Sequence, residues 1–229
     1  MSEPMKVLIV VGSPRGRQSV SHVLAAYLAE CFALKSVETE IVHVPRPDLP
    51  VGEEERINAA MDSADQVFLF FPLYVDQLPS GVVAFLERYA LHRETVKTGR
   101  LRSVAALCNS GFPEAQQSDQ ALAVIRRFAE LQGLHFLGGL ALGGGGVVQT
   151  EKPLGEQGGK AARIRKVLQL SADALAEGRD LPRAAVEGVR RLPIPAFLYA
   201  WIAEAGFRWE GHKKKINLRA KPYADAGMK

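Results

Sequence analysis

The residues that could bind a ligand begin in the loop Ser-Pro-Arg-Gly-Arg-Gln-Ser, residues 13–19. It lies between a continuous apolar run, residues 7–12, and a segment with helical spacing of apolar residues that starts at Ser19. The junction of a buried strand with a helix N-terminus collects unpaired amides and positive dipole potential, so it favours anions. Hydroxyls at Ser13, Ser19 and Ser21 could donate to phosphate oxygens, and Arg15 or Arg17 could add a charge-assisted bond. The alternative, with equal weight, is that Ser19 only caps the helix and the arginines are solvated.

This loop differs from two common nucleotide-binding motifs. It has no Gly-Lys-Ser or Gly-Lys-Thr, so it is not a Walker loop. The dinucleotide fingerprint Gly-x-Gly-x-x-Gly is also missing. A monophosphate is therefore the better fit.

Two more loops follow strand-like runs. Residues 72–78 begin with Pro-Leu-Tyr, which could form a platform for a flat ring, although packing of the loop on its neighbour is the simpler interpretation. Residues 109–115 place Asn, Ser, Gly and Phe after the next run, where the glycine permits close backbone approach. Phe112 could flank a ring, or it could act as a hydrophobic staple for the following helix.

Strand-like runs alternate with helical patterns five times along the chain. The strands are predicted at residues 6–12, 38–44, 66–72, 102–111 and 134–144, and the helices at 19–34, 53–64, 80–91, around 121–129, and 159–177. Parallel strands need helical crossovers, so this order predicts a doubly wound parallel sheet with helices on both faces. In such sheets a ligand binds beyond the carboxyl ends of the strands, where we expect the three loops to meet.

Composition narrows the class of protein. The 229 residues suit one large α/β domain with an appendage, and two isolated cysteines make no disulfide framework. The five histidines have no metal-ligand spacing, so we predict no metal site. We see no signal peptide and no apolar stretch long enough to span a bilayer, and we expect a cytoplasmic protein.

Three stretches together resemble the flavodoxin-like NAD(P)H-dependent FMN reductase and quinone reductase families. They are "GSPRGRQSVS", "FPLYVDQLPSGVVAFLERY" and "CNSGFPE", and the likeness runs from about Lys6 to Glu177. The resemblance implies a flavodoxin-like five-stranded sheet with FMN bound at the three loops. Val20 stands where family members often carry Asn, which removes one possible bond to the phosphate. No cysteine cluster for an iron–sulfur centre is present.

Carried over to this chain, the resemblance assigns the FMN phosphate to the first loop and the isoalloxazine ring to the other two. The residues implied for the phosphate are Ser13, Arg15, Gln18, Ser19, Val20 and Ser21. Those implied for the isoalloxazine ring are Pro72, Leu73, Tyr74 and Val75, with Asn109, Ser110, Gly111 and Phe112 at its far edge. The cofactor would supply the chemistry, so we predict no catalytic side chain.

The predicted function is an FMN-dependent oxidoreductase that passes electrons from NADH or NADPH to a small acceptor such as a quinone or free flavin. The alternative is a flavodoxin-like electron carrier that serves protein partners and does not itself oxidise NAD(P)H. Such carriers tend to be shorter and acidic, whereas this chain has a sequence pI near 9.1. A receiver-type signalling domain is disfavoured because it needs clustered acids after the first strand.

The predicted domains are a flavodoxin-like FMN-binding domain, residues 1–178, and a basic and aromatic C-terminal extension, residues 179–229. Eleven Lys and Arg stand against five Asp and Glu in the extension, so it carries +6 and the rest of the chain −2 of the net +4. We expect the extension to pack on the domain or at the interface of a homo-oligomer, a dimer or tetramer. Residues 194–207 are predicted to form an amphipathic helix there, and no specific nucleic-acid contact is expected. Gly143 to Gly146 are interpreted as a flexible connector, with a mobile flap as the alternative.

Overall fold

A computed structural model describes residues 4–44, 46–50, 52–96, 99–191 and 196–217. Within these ranges the chain forms five β-strands and seven α-helices. The strands are β1 (Lys6–Val11), β2 (Glu38–His43), β3 (Gln66–Pro72), β4 (Ser103–Asn109) and β5 (His135–Leu142). The helices are α1 (Val20–Ala33), α2 (Glu53–Ser63), α3 (Ser80–Thr95), α4 (Asp119–Leu131), α5 (Gly159–Ala176), α6 (Arg183–Arg190) and α7 (Ala196–Lys213).

The five strands form one parallel sheet in the order β2-β1-β3-β4-β5. The predicted doubly wound, flavodoxin-like fold is confirmed. The order reverses at β1, which pairs with β2 on one side and β3 on the other. This reversal opens a crevice beyond the carboxyl ends of β1 and β3, the usual place for a ligand in such sheets.

The strands β1, β3 and β4 are buried on both faces, which explains their nearly continuous apolar runs. Residues of β3 alternate between the two sides: Phe68 and Phe70 pack with α1, α5 and α6, whereas Leu69 and Phe71 pack with α2, α3 and α4. Each phenylalanine is almost fully buried. The central strand β3 therefore packs in both halves of the core, and this packing fixes the position of its carboxyl end.

The chain divides into two compact units between residues 192 and 193, so the predicted boundary at residue 178 falls inside the first unit. Helix α6 packs on α5 and β5 and buries Ala185 and Val189. The amide of Leu181 donates to the carbonyl oxygen of Leu137 at 2.7 Å, on the open side of edge strand β5. The start of the predicted extension thus belongs to the αβ core.

The second unit contains α7. At about 100° per residue, Trp201, Ile202 and Trp209 lie within about 100° of one another on this helix, whereas Phe207 lies on another side, so the exposed apolar side chains do not all share one face. The prediction of an amphipathic helix is wrong, and residues 194 and 195 of that segment lie outside the described ranges. No helix in the described part of the chain is long and apolar enough to cross a membrane.

Candidate functional site

The three predicted loops meet beyond the carboxyl ends of β1, β3 and β4, and Asn109 joins them. Its side-chain oxygen Oδ1 accepts a hydrogen bond from Ser21 Oγ at 2.8 Å. Its carbonyl oxygen accepts a second bond from the amide of Leu73 at 2.9 Å. One residue at the tip of β4 therefore connects the loop before α1 with the loop after β3.

The first loop begins at Gly12, where any larger residue would force the neighbouring side chains or backbone to move. A Cβ at Gly12 would lie 2.0 Å from Cγ2 of Val82, because the first turn of α3 packs directly against this point. The chain then turns at Gly16, with φ 53°, and forms one turn of 3₁₀ helix over Gly16–Gln18. This backbone path places Ser19 immediately before the first residue of α1.

Ser19 is the N-cap of α1, as one of the two interpretations predicted. Its Oγ accepts from the amide of His22 at 3.1 Å and donates to the carbonyl oxygen of Gly16 at 2.6 Å. The backbone amides of Ser19, Val20 and Ser21 make no hydrogen bond to any described residue. Three consecutive free amides at a helix N-terminus form a concentrated donor site for an anion.

Two of the three hydroxyls at the first loop already have partners within the chain. The hydroxyl protons of Ser19 and Ser21 are used within the chain, on Gly16 and Asn109. Ser13, only 2% exposed, accepts a weak contact from the Arg15 amide at 3.4 Å, and its hydroxyl proton has no acceptor among the described residues. Arg15, Arg17 and Gln18 are exposed. The amides, Ser13 and the flexible cations are therefore the available donors.

The second loop ends in a tight turn that is strained. Tyr74 and Gln77 exchange two backbone hydrogen bonds of 3.0 Å, and the central residues Val75 and Asp76 have φ of 49° and 59°. Positive φ at both positions is the conformation that Asn-Gly normally supplies, and it is unfavourable for a β-branched residue. Val75 is 96% exposed, so burial of its side chain does not compensate. Backbone strain of this kind is typical of functional sites.

We expect Val75→Gly to stabilise the fold because it removes this strain. The gain in the free energy of unfolding should be about 1 kcal/mol. Thermal unfolding would measure it as a rise in Tm, with Val83→Gly on α3 as a control in which the same change removes a helical residue and lowers Tm. A lower Tm for Val75→Gly would contradict the strained turn.

The loop after β5, which begins at Gly143, supports the third loop. The sequence alone does not assign this fourth loop to the site. Gly144 donates to the carbonyl oxygen of Phe112, and Gly145 donates to that of Ser110, both at 2.7 Å. A Cβ at Gly143 would lie 2.5 Å from the carbonyl oxygen of Pro113. The interpretation of this glycine run as a flexible connector is wrong, because the glycines allow close packing of two backbones. Phe112 itself is 59% exposed, beyond this support.

Two histidines that the sequence left unassigned lie beside the first loop. Nε2 of His43, at the end of β2, is 3.3 Å from Nδ1 of His22 in α1. Burial lowers the pKa of both imidazoles, and the positive charge of Arg17 lowers both further. The contact follows from strand register, since His43 pairs with Val11 at the end of β1.

The thiols are not candidates for chemistry. Cys31 and Cys108 are free and buried. Burial raises the pKa of Cys31 to about 11 and that of Cys108 to about 12, so neither forms a thiolate at neutral pH. Among the described residues, no group of three or more His, Cys, Asp or Glu could hold a metal ion. What the site offers is hydrogen-bond donors and exposed aromatic surface at Tyr74 and Phe112.

Solved structures share this architecture. A NAD(P)H:quinone oxidoreductase from Methanothermobacter marburgensis aligns with TM-score 0.55 and 15% identity, over 77% of this chain and 96% of that chain. An FMN-dependent NADH-azoreductase from Bacillus anthracis, in complex with FMN, aligns with TM-score 0.53 and 16% identity, over 75% and 99%. A quinone reductase described as putative, from Klebsiella pneumoniae, aligns with TM-score 0.53 and 14% identity, over 78% and 87%. These identities show a common fold. No curated protein sequence matches the chain.

The family model Flavodoxin_2, described as the flavodoxin-like fold, matches residues 5–161. That range contains all five strands, the four loops at their carboxyl ends and the helices α1 to α4. The chain belongs to the flavodoxin-like fold family.

Proposed function

We propose that the protein is an FMN-dependent oxidoreductase that passes electrons from NADH or NADPH to a small acceptor such as a quinone or free flavin. The observation that carries the proposal is the set of three free amides at Ser19, Val20 and Ser21, placed beside two strand tips with exposed aromatic residues. The named activities of similar structures, NAD(P)H:quinone oxidoreductase and FMN-dependent NADH-azoreductase, support the same class.

The residues present fit a flavin monophosphate. The free amides and the buried hydroxyl of Ser13 suit a dianionic phosphate, with Arg15 and Arg17 close in sequence to add charge. The backbones of Pro72–Val75 and Asn109–Phe112 would hold the ring, and Tyr74 and Phe112 would border its open face. When bound, FMN supplies the redox chemistry by accepting hydride from a nicotinamide and delivering electrons to the acceptor.

The protein's own part is orientation and electrostatic support. Asn109 Nδ2 makes no hydrogen bond within the described part of the chain, so it can donate to the polar edge of a ring. Donors fixed at such an edge stabilise negative charge that develops there. The exposed sides of Tyr74 and Phe112, 44% and 59%, leave room for a second flat molecule to stack.

Removing one amide tests the phosphate site. Val20 is the first residue of α1 and Ser19 before it is extended (φ −112°, ψ 152°), so Val20→Pro deletes one N–H in a position where proline is tolerated. We expect FMN binding to weaken roughly tenfold to a hundredfold, since a hydrogen bond to a charged group contributes about 1.5–3 kcal/mol. Val20→Ala, which keeps the amide, should bind within about threefold of the native protein.

Fluorescence titration with FMN measures both variants. Equal affinity of Val20→Pro and Val20→Ala would contradict the phosphate site. Anaerobic mixing of the FMN-loaded protein with NADH or NADPH then separates the two functions, because an enzyme bleaches the flavin rapidly. Bleaching only in the presence of a separate reductase would favour the electron carrier.

We also propose that the protein is a homodimer joined through an apolar groove between α3 and α4. The groove encloses about 340 Å³ and is lined by Leu78, Val83, Leu86, Val124, Phe128 and Leu131. Glu87 lies on one wall and Arg127 on the other, so a two-fold contact can bring each Glu87 to the Arg127 of a second copy. Leu78 also belongs to the loop after β3, so this loop contributes both to the groove and to the candidate ring site.

Leu131, 65% exposed, is a suitable position to test the dimer. We expect Leu131→Glu to halve the mass measured by sedimentation, because it places a charge in the centre of an apolar contact. Leu34→Glu, at an 89% exposed position outside the groove, should leave the mass unchanged. A native protein that sediments as a monomer would overturn the dimer.

We propose a cytoplasmic location because both thiols are free. Cys31 and Cys108 are both free, which is usual for proteins of reducing compartments. Fractionation of cells that express the protein would test this location.

A further inference from the structure

The His22–His43 pair lies beside the phosphate site without an acidic partner. The rings are 5.1 Å apart between centroids, and a single 3.3 Å contact joins Nε2 of His43 to Nδ1 of His22. One ring nitrogen must donate and the other accept, so two neutral imidazoles satisfy this contact. His92 and His135 are different, because they contact carboxylates of Asp62 and Asp180 at 2.7 and 2.6 Å.

The charged groups near the pair lie on α1, on the turn before it and on the loop after β5. Arg17, from the turn before α1, is the one charged side chain in the described ranges that shifts the pKa of both histidines. His22 and Arg17 also line a cavity of about 310 Å³ beside α1. From the other walls this cavity is faced by Glu30 of α1 and by Glu151 and Lys152 of the loop after β5. The two acidic and two basic side chains that line the cavity therefore cancel in charge. No carboxylate of the described residues raises the pKa of either histidine of the pair.

The pair is close to the free amides. His22 follows Ser21 directly, and its own amide is bonded to the N-cap Oγ of Ser19. Side chains in a helix lean toward its N-terminus, so we expect the His22 imidazole to lean toward the turn that carries these amides. An anion held by the amides would bind at the same first turn of α1 that carries His22.

We propose that Arg17 and the His22–His43 pair form a proton-linked subsite for the phosphate bound at the N-terminus of α1. The pair takes one proton from solvent onto a ring nitrogen when the dianion binds, and it returns that proton when the ligand leaves. No other bond is made or broken. This subsite rests on the proposed function, which it deepens by naming residues that neutralise the phosphate.

The direction of the pH effect follows from linkage. In the free protein, burial and then the neighbouring positive charges lower the pKa of both histidines below 6.5, so the pair is neutral at pH 7. A dianion nearby favours the imidazolium and raises the pKa of the pair. Between the two pKa values binding takes up a proton, and affinity rises as pH falls, by up to about tenfold per pH unit.

The test is the affinity for FMN between pH 6 and pH 8 in the native protein, His22→Gln and His43→Gln. His135→Gln, a remote exposed histidine, is the matched control. Protonation of the FMN phosphate itself affects all four proteins equally, so it cancels in the ratio of variant to native Kd. We expect this ratio to grow about fivefold or more from pH 8 to pH 6 for His22→Gln and His43→Gln, and to stay constant for His135→Gln.

Two further measurements show whether the histidine pair responds to the phosphate of the ligand. Riboflavin, which lacks the phosphate, should show no growth of the ratio, and calorimetry in buffers of different ionisation enthalpy should detect proton uptake with FMN only. A constant ratio with FMN, or the same growth with riboflavin, overturns the subsite. If FMN fails to bind but inorganic phosphate raises the Tm of the native protein more at pH 6 than at pH 8, and does so less in His22→Gln, the subsite stands and the oxidoreductase falls. If neither ligand binds, both proposals are overturned.

Discussion

Gly12→Ala is expected to lower the free energy of unfolding by about 3 kcal/mol and to weaken FMN binding about tenfold or more. The new Cβ would lie 2.0 Å from Cγ2 of Val82, and Val82 is fully buried, so the end of β1 and the first turn of α3 must separate. Gly12 is followed directly by Ser13 and the loop that leads to α1. Movement there displaces the free amides at the start of α1, which would cost at least one charge-assisted hydrogen bond to the proposed phosphate. Urea unfolding and FMN titration measure the two effects.

Two variants show whether the clash is the cause. Gly159→Ala makes the same change at the first position of α5, where a Cβ meets nothing within 4 Å, and should leave stability within about 0.5 kcal/mol of the native value or raise it. The double variant Gly12→Ala with Val82→Ala removes the clashing methyl groups. It should recover FMN binding although Val82→Ala alone leaves a cavity. Loss of FMN binding in the double variant equal to that in Gly12→Ala would contradict the packing argument.

Asn109→Leu is expected to lower the free energy of unfolding by about 2 kcal/mol and FMN affinity about tenfold. Leucine has a similar volume but no acceptor, so the hydroxyl of Ser21, 1% exposed, is left buried without a partner. The side-chain Nδ2, the donor proposed for the polar edge of the flavin, is lost as well. The carbonyl of residue 109 still accepts from Leu73, so the second loop stays attached.

A double-mutant cycle separates the two losses. In a Ser21→Ala background no hydroxyl is stranded, so Asn109→Leu should cost about 1 kcal/mol less stability than in the native background. Its effect on FMN affinity should persist, because that effect comes from Nδ2. Additive stability changes would show that the 2.8 Å contact between Ser21 and Asn109 contributes nothing.

The strands, and the three loops that follow them, could be predicted because each carries a local signal. Residues 67–72 are continuously apolar, as expected for a strand that is buried on both faces. The loop before α1 combines a strand end with an N-cap serine, which marks a helix start. These signals lie within a few residues of one another, so no tertiary information is needed to interpret them.

The rest of the site depends on contacts between distant residues. His22 and His43 meet only because β2 pairs with β1 in a register that brings His43 level with Val11. Gly143 packs on Pro113 because β4 and β5 are neighbours, although the residues are 30 positions apart in the sequence. A run of glycines alone does not distinguish close packing from flexibility. The amphipathic prediction for α7 failed for a different reason: amphipathicity depends on the spacing of the apolar residues, which the sequence itself shows, and not on how many of them a segment contains.

The hydrogen bond from Leu181 to Leu137 has a consequence for self-association. An uncovered edge strand is a template on which another polypeptide can add a strand, and such addition is a common start of aggregation. In this protein the segment between α5 and α6 already occupies part of that edge. A chain shortened to end at residue 178 would leave β5 bare, and we expect its solubility to fall even if the loops at the carboxyl ends of the strands stayed intact.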